Sequence, residues 1–368
     1  MSEQKQALKS LSIACRVVLD MHALNNEGSE SNRLMTRQVG VVVPSQRKDE
    51  AESASVMDRY ERHVVNAVSG DMNKHIFSAA FRNIAADRGL PMSPASQALD
   101  PARINGDEDF RAWMDEQGKD VLVSDVINRL LSCSLTDVCG LLITGSGVSV
   151  KRKSAVEFGW TVGLPEITEV EEFLHARHAI TRLKRTRVER GASAEDKAAA
   201  QKEREANTGQ MVFNRPASSG VYAFVAHLDV AAIGFNDAAQ AYPQNVSDPV
   251  GTDTPVDRPE RLRASLLALA QTLLHPKGAL TSTQLPHVVD LEGYVSVSSS
   301  AAAAPLLSPL TDDYIERTRK TAAMLNRLHA SDNAVQVADF NGGDGLLEAL
   351  GYVMDNYSPG MYFARAQE

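Results

Sequence analysis

Residues 11–32 read LSIACRVVLDMHALNNEGSESN, and the fold turns on this stretch. Leu11, Ile13, Cys15, Val17, Leu19 and Met21 alternate with Ser12, Ala14, Arg16, Val18, Asp20 and His22. Side chains on a strand point to opposite faces with a period of two, so one face is uniformly apolar and the other mixed. A long strand is expected, with one face on a core and the other partly wet. It runs into Asn25, Asn26, Gly28, Ser29, Ser31 and Asn32, which offer amides, hydroxyls and a permissive backbone. Such a loop can hold an extended polar ligand. On these residues alone an ordinary surface loop fits equally well.

The 368 residues suffice for one elaborated domain or for two. A hydrophobic fraction of 43% places the chain among globular proteins and outside the disordered class. No apolar run approaches the roughly 20 residues that a membrane span needs, and the start carries no signal-peptide pattern. Cys15, Cys133 and Cys139 form no disulfide framework, so a reducing cytoplasm and no membrane partner are expected. The net charge of −9 weighs against a nucleic-acid binder. Yet a phosphate responds to cations within a Debye length of ~8 Å, not to the sum. Lys151, Arg152 and Lys153 form one local cluster; Arg177, Arg182, Lys184, Arg185, Arg187 and Arg190 form a larger one.

Outward from the first strand, the apolar run 39–43 stops at Pro44, and an amphipathic helix is expected over 54–68. A second helix is expected over 71–87 with Asp71 as cap and a buried face of Ile76, Phe77, Ala80, Phe81 and Ile84. Residues 92–120 are acidic and turn-rich and read as an insertion. A helix over 123–131 precedes strands at 138–144 and 155–162. The run SAEDKAAAQKEREAN interrupts the segment 165–215, which reads as a protruding arm whose apolar ends, 170–174 and 211–213, pair as a hairpin. From Gly220 the pattern resumes as a strand, then a Leu/Ala helix over 261–274, a strand at 287–297, a helix to 328, a strand at 335–340 and a last helix to 357. Strands and helices mix without strict βα repetition, which favours an α+β fold.

Common catalytic and phosphate-loop signatures are missing. Gly145-Ser146-Gly147 lacks the third glycine of a dinucleotide loop and reads as a tight turn. His175 with His178, and Cys133 with Cys139, lack the companions of a metal site, so no metal and no cofactor are expected. Ser69-Gly70-Asp71-Met72-Asn73-Lys74-His75 is more informative. Free N–H groups in a first helical turn favour an anion, and Lys74 and His75 add donors; a structural role for these residues is the alternative.

Several ordered pieces now come together: Asn25 to Asn32, Ser69-Gly70 with Lys74-His75, Thr136-Asp137-Val138-Cys139-Gly140, Arg152-Lys153-Ser154, Gly209-Gln210-Met211 with Ser219-Gly220-Val221-Tyr222, and Pro276-Lys277-Gly278-Ala279 with Leu285-Pro286-His287 and Leu291-Glu292-Gly293. In this order they resemble the DevR branch of the Cas-seven family, the RAMP-type backbone subunit of type I CRISPR surveillance (Cascade) complexes. Asp71 stands where an asparagine is usual, Cys139 where a histidine is common, and the charged run 190–207 is unusually long.

The resemblance implies a modified RRM (ferredoxin-like) palm, a single elaborated domain with finger-like insertions at 33–60 and 92–120 and a thumb at 165–215. It also implies copies stacked along a crRNA, holding its spacer for pairing with target DNA beside other Cascade subunits, without catalysis. By motif, Asn26, Ser31, Asn32, Ser69, Lys74, His75, Lys151 and Arg152 are expected on the RNA. The arm's Arg182, Lys184 and Arg185 are expected there too, with Gln210, Met211 and Lys277 from the remaining pieces. The rival is a metal-dependent endoribonuclease subunit like those of type III complexes, which cut with an aspartate in the loop after the first strand. Here that loop offers Glu27 and Glu30 instead.

Overall fold

The computed structural model describes residues 5–30, 33–45, 59–145, 148–177, 211–239 and 256–362. Its axis is β1 (Ser10–His22). Leu11, Ile13, Cys15, Val17 and Leu19 are all buried in the main core, as their alternation requires. Further strands are β2 (Gln38–Pro44), β3 (Tyr60–Val68), β4 (Val156–Phe158), β5 (Thr161–Gly163), β6 (Glu169–Arg177) and β7 (Met211–Asp229), followed by β8 (His287–Ser298) and β9 (Val335–Asn341). The main path of the sheet runs β9-β8-β1-β7-β5-β3-β2.

The principal helices are α1 (Gly70–Asp87), α2 (Val123–Leu131), α3 (Ser134–Cys139), α4 (Arg258–Leu274), α5 (Tyr314–Leu328) and α6 (Gly342–Asn356), with further helical segments, Glu108–Gln117 among them, between α1 and α2. Mixed helix and sheet make this an α+β protein. Both β7 and β8 pair antiparallel with β1, so they run parallel to each other, joined through α4. That is a βαβ unit split by the first strand. Helices α1 and α4 pack together over the apolar face of β1, with Phe77 and Phe81 wholly buried. Burial of each phenyl ring contributes roughly 1.5–3 kcal/mol.

The mixed face of β1 is roofed by residues 302–314. Ser12 Oγ donates to Ala304 O (3.0 Å), Arg16 Nε donates to Pro309 O (3.0 Å), and Arg16 pairs with Asp312 (2.7 Å). On β8, Ser296 Oγ donates to Pro305 O (2.7 Å). The polar residues alternating along β1 thus satisfy a covering chain that lacks ladder partners of its own.

Three expectations are corrected. Residues of the proposed 54–68 helix that the structure describes form β3, paired with β2 from Gln38↔Asn66 to Pro44↔Tyr60. Its β-branched Val64 (exposed), Val65 and Val68 (buried) suit a half-buried strand, and cross-strand pairing outweighs helical periodicity. The cap of α1 is Ser69, whose Oγ accepts the Met72 N–H, not Asp71. The strand expected at 138–144 begins only at Leu141, after α3.

The arm's described ends do pair: β6 and β7 run antiparallel in unbroken register from Glu169↔Ser219 to Arg177↔Met211. Among the described residues no helix is long and apolar enough to cross a membrane.

Candidate nucleic-acid interface

At the end of β1 the chain turns a corner at Leu24 and Asn25, and three distant segments meet it. Asn25 Oδ1 accepts the Ser69 N–H at 2.7 Å, which ties the first loop to the cap of α1. Leu24 O accepts the Ala279 N–H at 2.9 Å, which brings in the turn that carries exposed Lys277. Asn25 O accepts the Arg37 N–H (3.2 Å), and Arg37 O accepts from Ala67 N–H (2.9 Å) and from Asn66 Nδ2 (3.1 Å). The loop itself is a small hairpin, Asn26–Glu30 against Arg33–Thr36, not an open coil. Asn26, Ser69 and Lys277 therefore gather at one corner.

The first turn of α1 completes it. Gly70 lies where a Cβ would sit 2.8 Å from Phe158 O, so its glycine serves packing against the chain itself. Asn73 is buried and its Nδ2 donates to Gly159 O (3.0 Å) and Thr161 Oγ1 (2.9 Å), which fixes the helix on the sheet. His75 is exposed. Lys74 is half-buried, and that desolvation lowers its ammonium below the ordinary lysine range, with Arg103 acting in the same sense. Cys139, Asp71 and Glu157 oppose the shift.

Arg152 is a correction. It is 3% exposed and cannot reach RNA. Its Nη2 pairs with Asp137 Oδ1 (2.5 Å) and donates to Ala232 O (2.6 Å), while Nη1 donates to Phe235 O (2.7 Å). Asp137 is fully buried, and its other oxygen pairs with equally buried Arg261 at 2.6 Å. The physical reason lies in strand alternation: in the hairpin Leu141–Gly145 with Val148–Arg152, Val150 and Arg152 face inward and Lys151 outward. Lys151 is exposed, on this separate two-stranded sheet.

Ser31, Asn32, Arg182, Lys184, Arg185 and Gln210 lie outside the described residues, as does His178 of the metal alternative; Met211 is placed only as the first residue of β7. Cys133 and Cys139 are both buried thiols.

Sequence reasoning missed Arg37 and Trp160 at this corner. Arg37 Nη1 pairs with Glu27 Oε1 at 2.8 Å, and its guanidinium lies 5.7 Å from the centre of the Trp160 ring. The signal available was Gly159 inside an otherwise regular strand pattern, the mark of a bulge.

A sequence model of the family described as "CRISPR-associated negative auto-regulator DevR/Csa2" matches residues 13–319. The chain is 28% identical over 322 residues to "CRISPR-associated protein Cas7/Cst2/DevR" of Methanocaldococcus jannaschii, covering 86% of this chain and 90% of that protein. It is 26% identical over 321 residues to "CRISPR-associated protein Cas7/Csa2 1" of Saccharolobus solfataricus, covering 84% and 86%. A chain of a solved "CRISPR RNA-guided surveillance complex, pre-nicking" aligns with a TM-score of 0.40 at 11% identity, covering 88% of this chain and 90% of that one, a likeness too distant to carry a conclusion. On the match to residues 13–319, the chain belongs to the DevR/Csa2 family of CRISPR-associated proteins.

Proposed function

We propose that this protein is the backbone subunit of a type I CRISPR surveillance complex, oligomerising along the crRNA and holding its spacer for pairing with target DNA. The observation that carries the reading is family membership across residues 13–319. The corner supports it physically: Asn26, the α1 start and Lys277 converge there, giving amide, backbone and ammonium donors to a phosphate chain. The split βαβ unit with two helices on one face supports a modified RRM-like palm. Its opposite face is roofed by 302–314, so RNA is held at the corner and not across an open sheet. We read the paired strands β6 and β7 as the root of the thumb, and the segments 33–60, of which 46–58 lie outside the described residues, and 92–120 as the fingers.

The subunit acts by binding, without catalysis. Glu27, a carboxylate of the first loop, is held by Arg37 at 2.8 Å, which offsets the charge that a metal ion would need. The rival endoribonuclease reading requires target RNA cleavage with added Mg²⁺ that disappears in Glu27→Gln or Glu30→Gln.

Copurified RNA tests the main proposal. Guide-length RNA and an oligomer that collapses on ribonuclease treatment are expected. A monomer free of RNA at low and physiological salt overturns it. Replacing residues 175–208 by a Gly-Ser linker is expected to leave thermal unfolding of the monomer unchanged and to abolish ordered RNA-bound oligomers.

A further inference from the structure

Strands β4 and β5 pair with the same partner, β7, through Phe158↔Ala226 and Val162↔Ala223. Between those pairs one side advances by four residues and the other by three. The extra residue makes a β-bulge at Gly159-Trp160, a device that re-aims a side chain beside functional sites. Gly159 N–H donates to Val225 O at 3.0 Å, and a Cβ on Gly159 would collide with the Val225 side chain. Asn73 grips the bulge on both sides, through Gly159 O and Thr161 Oγ1. The backbone here is fixed, and its product is a tryptophan left 40% exposed next to the cap of α1.

Trp160 is not a stray surface residue. The Arg37 guanidinium lies over its ring, and Arg37 is itself anchored by Glu27 and by the backbone bonds that hold the corner. The arrangement is a rigid aromatic plane backed by a cation, set among the donors that would hold a phosphate chain. Every nucleobase has a π-face, and stacking on tryptophan with arginine nearby is the common way to hold single-stranded RNA without reading its sequence.

We propose that Trp160 is a stacking platform for one nucleobase of single-stranded RNA, oriented by the Gly159 bulge and supported by Arg37. The inference rests on the RNA-binding reading above and adds to it a base contact where that reading has only backbone contacts.

The chain has two tryptophans, Trp113 and Trp160, so Trp113→Phe leaves Trp160 as the sole reporter. Full-length Trp113→Phe protein is titrated with a riboadenylate oligomer and with an abasic ribose-phosphate oligomer of the same length. Both titrations are also followed by anisotropy of labelled oligomers. The base-bearing oligomer is expected to quench Trp160 emission, and the abasic one to bind without quenching. Trp160→Leu is expected to weaken riboadenylate binding by about five- to a hundredfold and leave abasic binding and the thermal midpoint unchanged. Trp160→Phe is expected to retain most of the affinity. Equal loss for both oligomers, or no loss for either, overturns the platform while RNA binding stands. If neither oligomer binds wild-type protein, the RNA reading falls and the platform with it.

Discussion

Asn25 Oδ1 and the Ser69 N–H, 44 positions apart in the chain, meet at 2.7 Å. One amide thereby locks the end of the first strand to the cap of α1. Asn25→Ala leaves the Ser69 N–H without its acceptor in a part-buried site, which is expected to cost about 1–2 kcal/mol by denaturant unfolding. Asn25→Asp supplies the acceptor again and is expected to recover most of that loss. RNA affinity is expected to fall further in Asn25→Ala than in variants of equal stability elsewhere. Matching affinities would show that the junction is only structural.

Neighbours Lys151 and Arg152 are expected to behave oppositely. Arg152→Ala leaves Asp137 buried with one of its two arginines gone, and breaking such a pair costs roughly 3–5 kcal/mol. Lys151→Ala at the exposed position is expected to change stability by no more than about 0.5 kcal/mol. Equilibrium urea unfolding of the two variants checks this, and similar midpoints would refute the burial assignment.

Binding through the phosphate chain is expected to be sequence-tolerant and salt-sensitive, with log affinity falling by roughly 0.7 per contacted phosphate on log salt for a single strand. Lys74→Ala and Lys277→Ala are each expected to flatten that slope by about one such increment while the fold melts normally. A slope identical to wild type in both variants would take these lysines off the RNA.

His22 is buried against Tyr222, and burial pushes its imidazole from the ordinary 6.5 down to about 4. The unfolded chain takes up a proton near pH 6.5 and the folded one only near 4, so the folded state is fully favoured above 6.5 and loses stability as pH falls between these values. The loss approaches about 3 kcal/mol at the acid end. His22→Leu is expected to flatten the fall in thermal midpoint between pH 7 and 4. His227, also shifted down by burial, remains in both proteins and cancels in the difference.

The first strand, α1, the 258–274 helix and the C-terminal alternation were legible because each carries its own periodicity. Residues 60–68 were not, since Tyr60, His63, Val64 and Ala67 suit a helix face as well as a strand, and only pairing with 38–44 decides. The corner was half legible. Asn26, Ser69 and Lys277 stand out as residue types, but their convergence depends on Leu24 and Asn25 bonds made across the fold. Arg152 misled because a basic triplet has the same composition whether its middle member points in or out. At Trp160 the preceding glycine hints at a bulge, but the mismatch that exposes the ring lies between two strands and belongs to neither alone.

Strand β7 has 19 residues, roughly 60 Å of continuous backbone. Its second half is clamped in the sheet and its first half leaves with β6 as a two-stranded beam. The register against β1 slips between Ser218 and Gly220, at the root of that beam. The beam is braced beyond that root, where Asn214 pairs with Arg33 of the first-loop hairpin, Arg215 Nη1 donates to Thr283 Oγ1 (2.9 Å) and Gln284 Nε2 donates to Pro216 O (3.2 Å). The seat of the root is Gly220: its φ of +152° is one that side chains rarely adopt, and a Cβ there would sit 2.7 Å from Ile167 O and Thr168 Cα, so any other residue would reset the way the beam leaves the sheet.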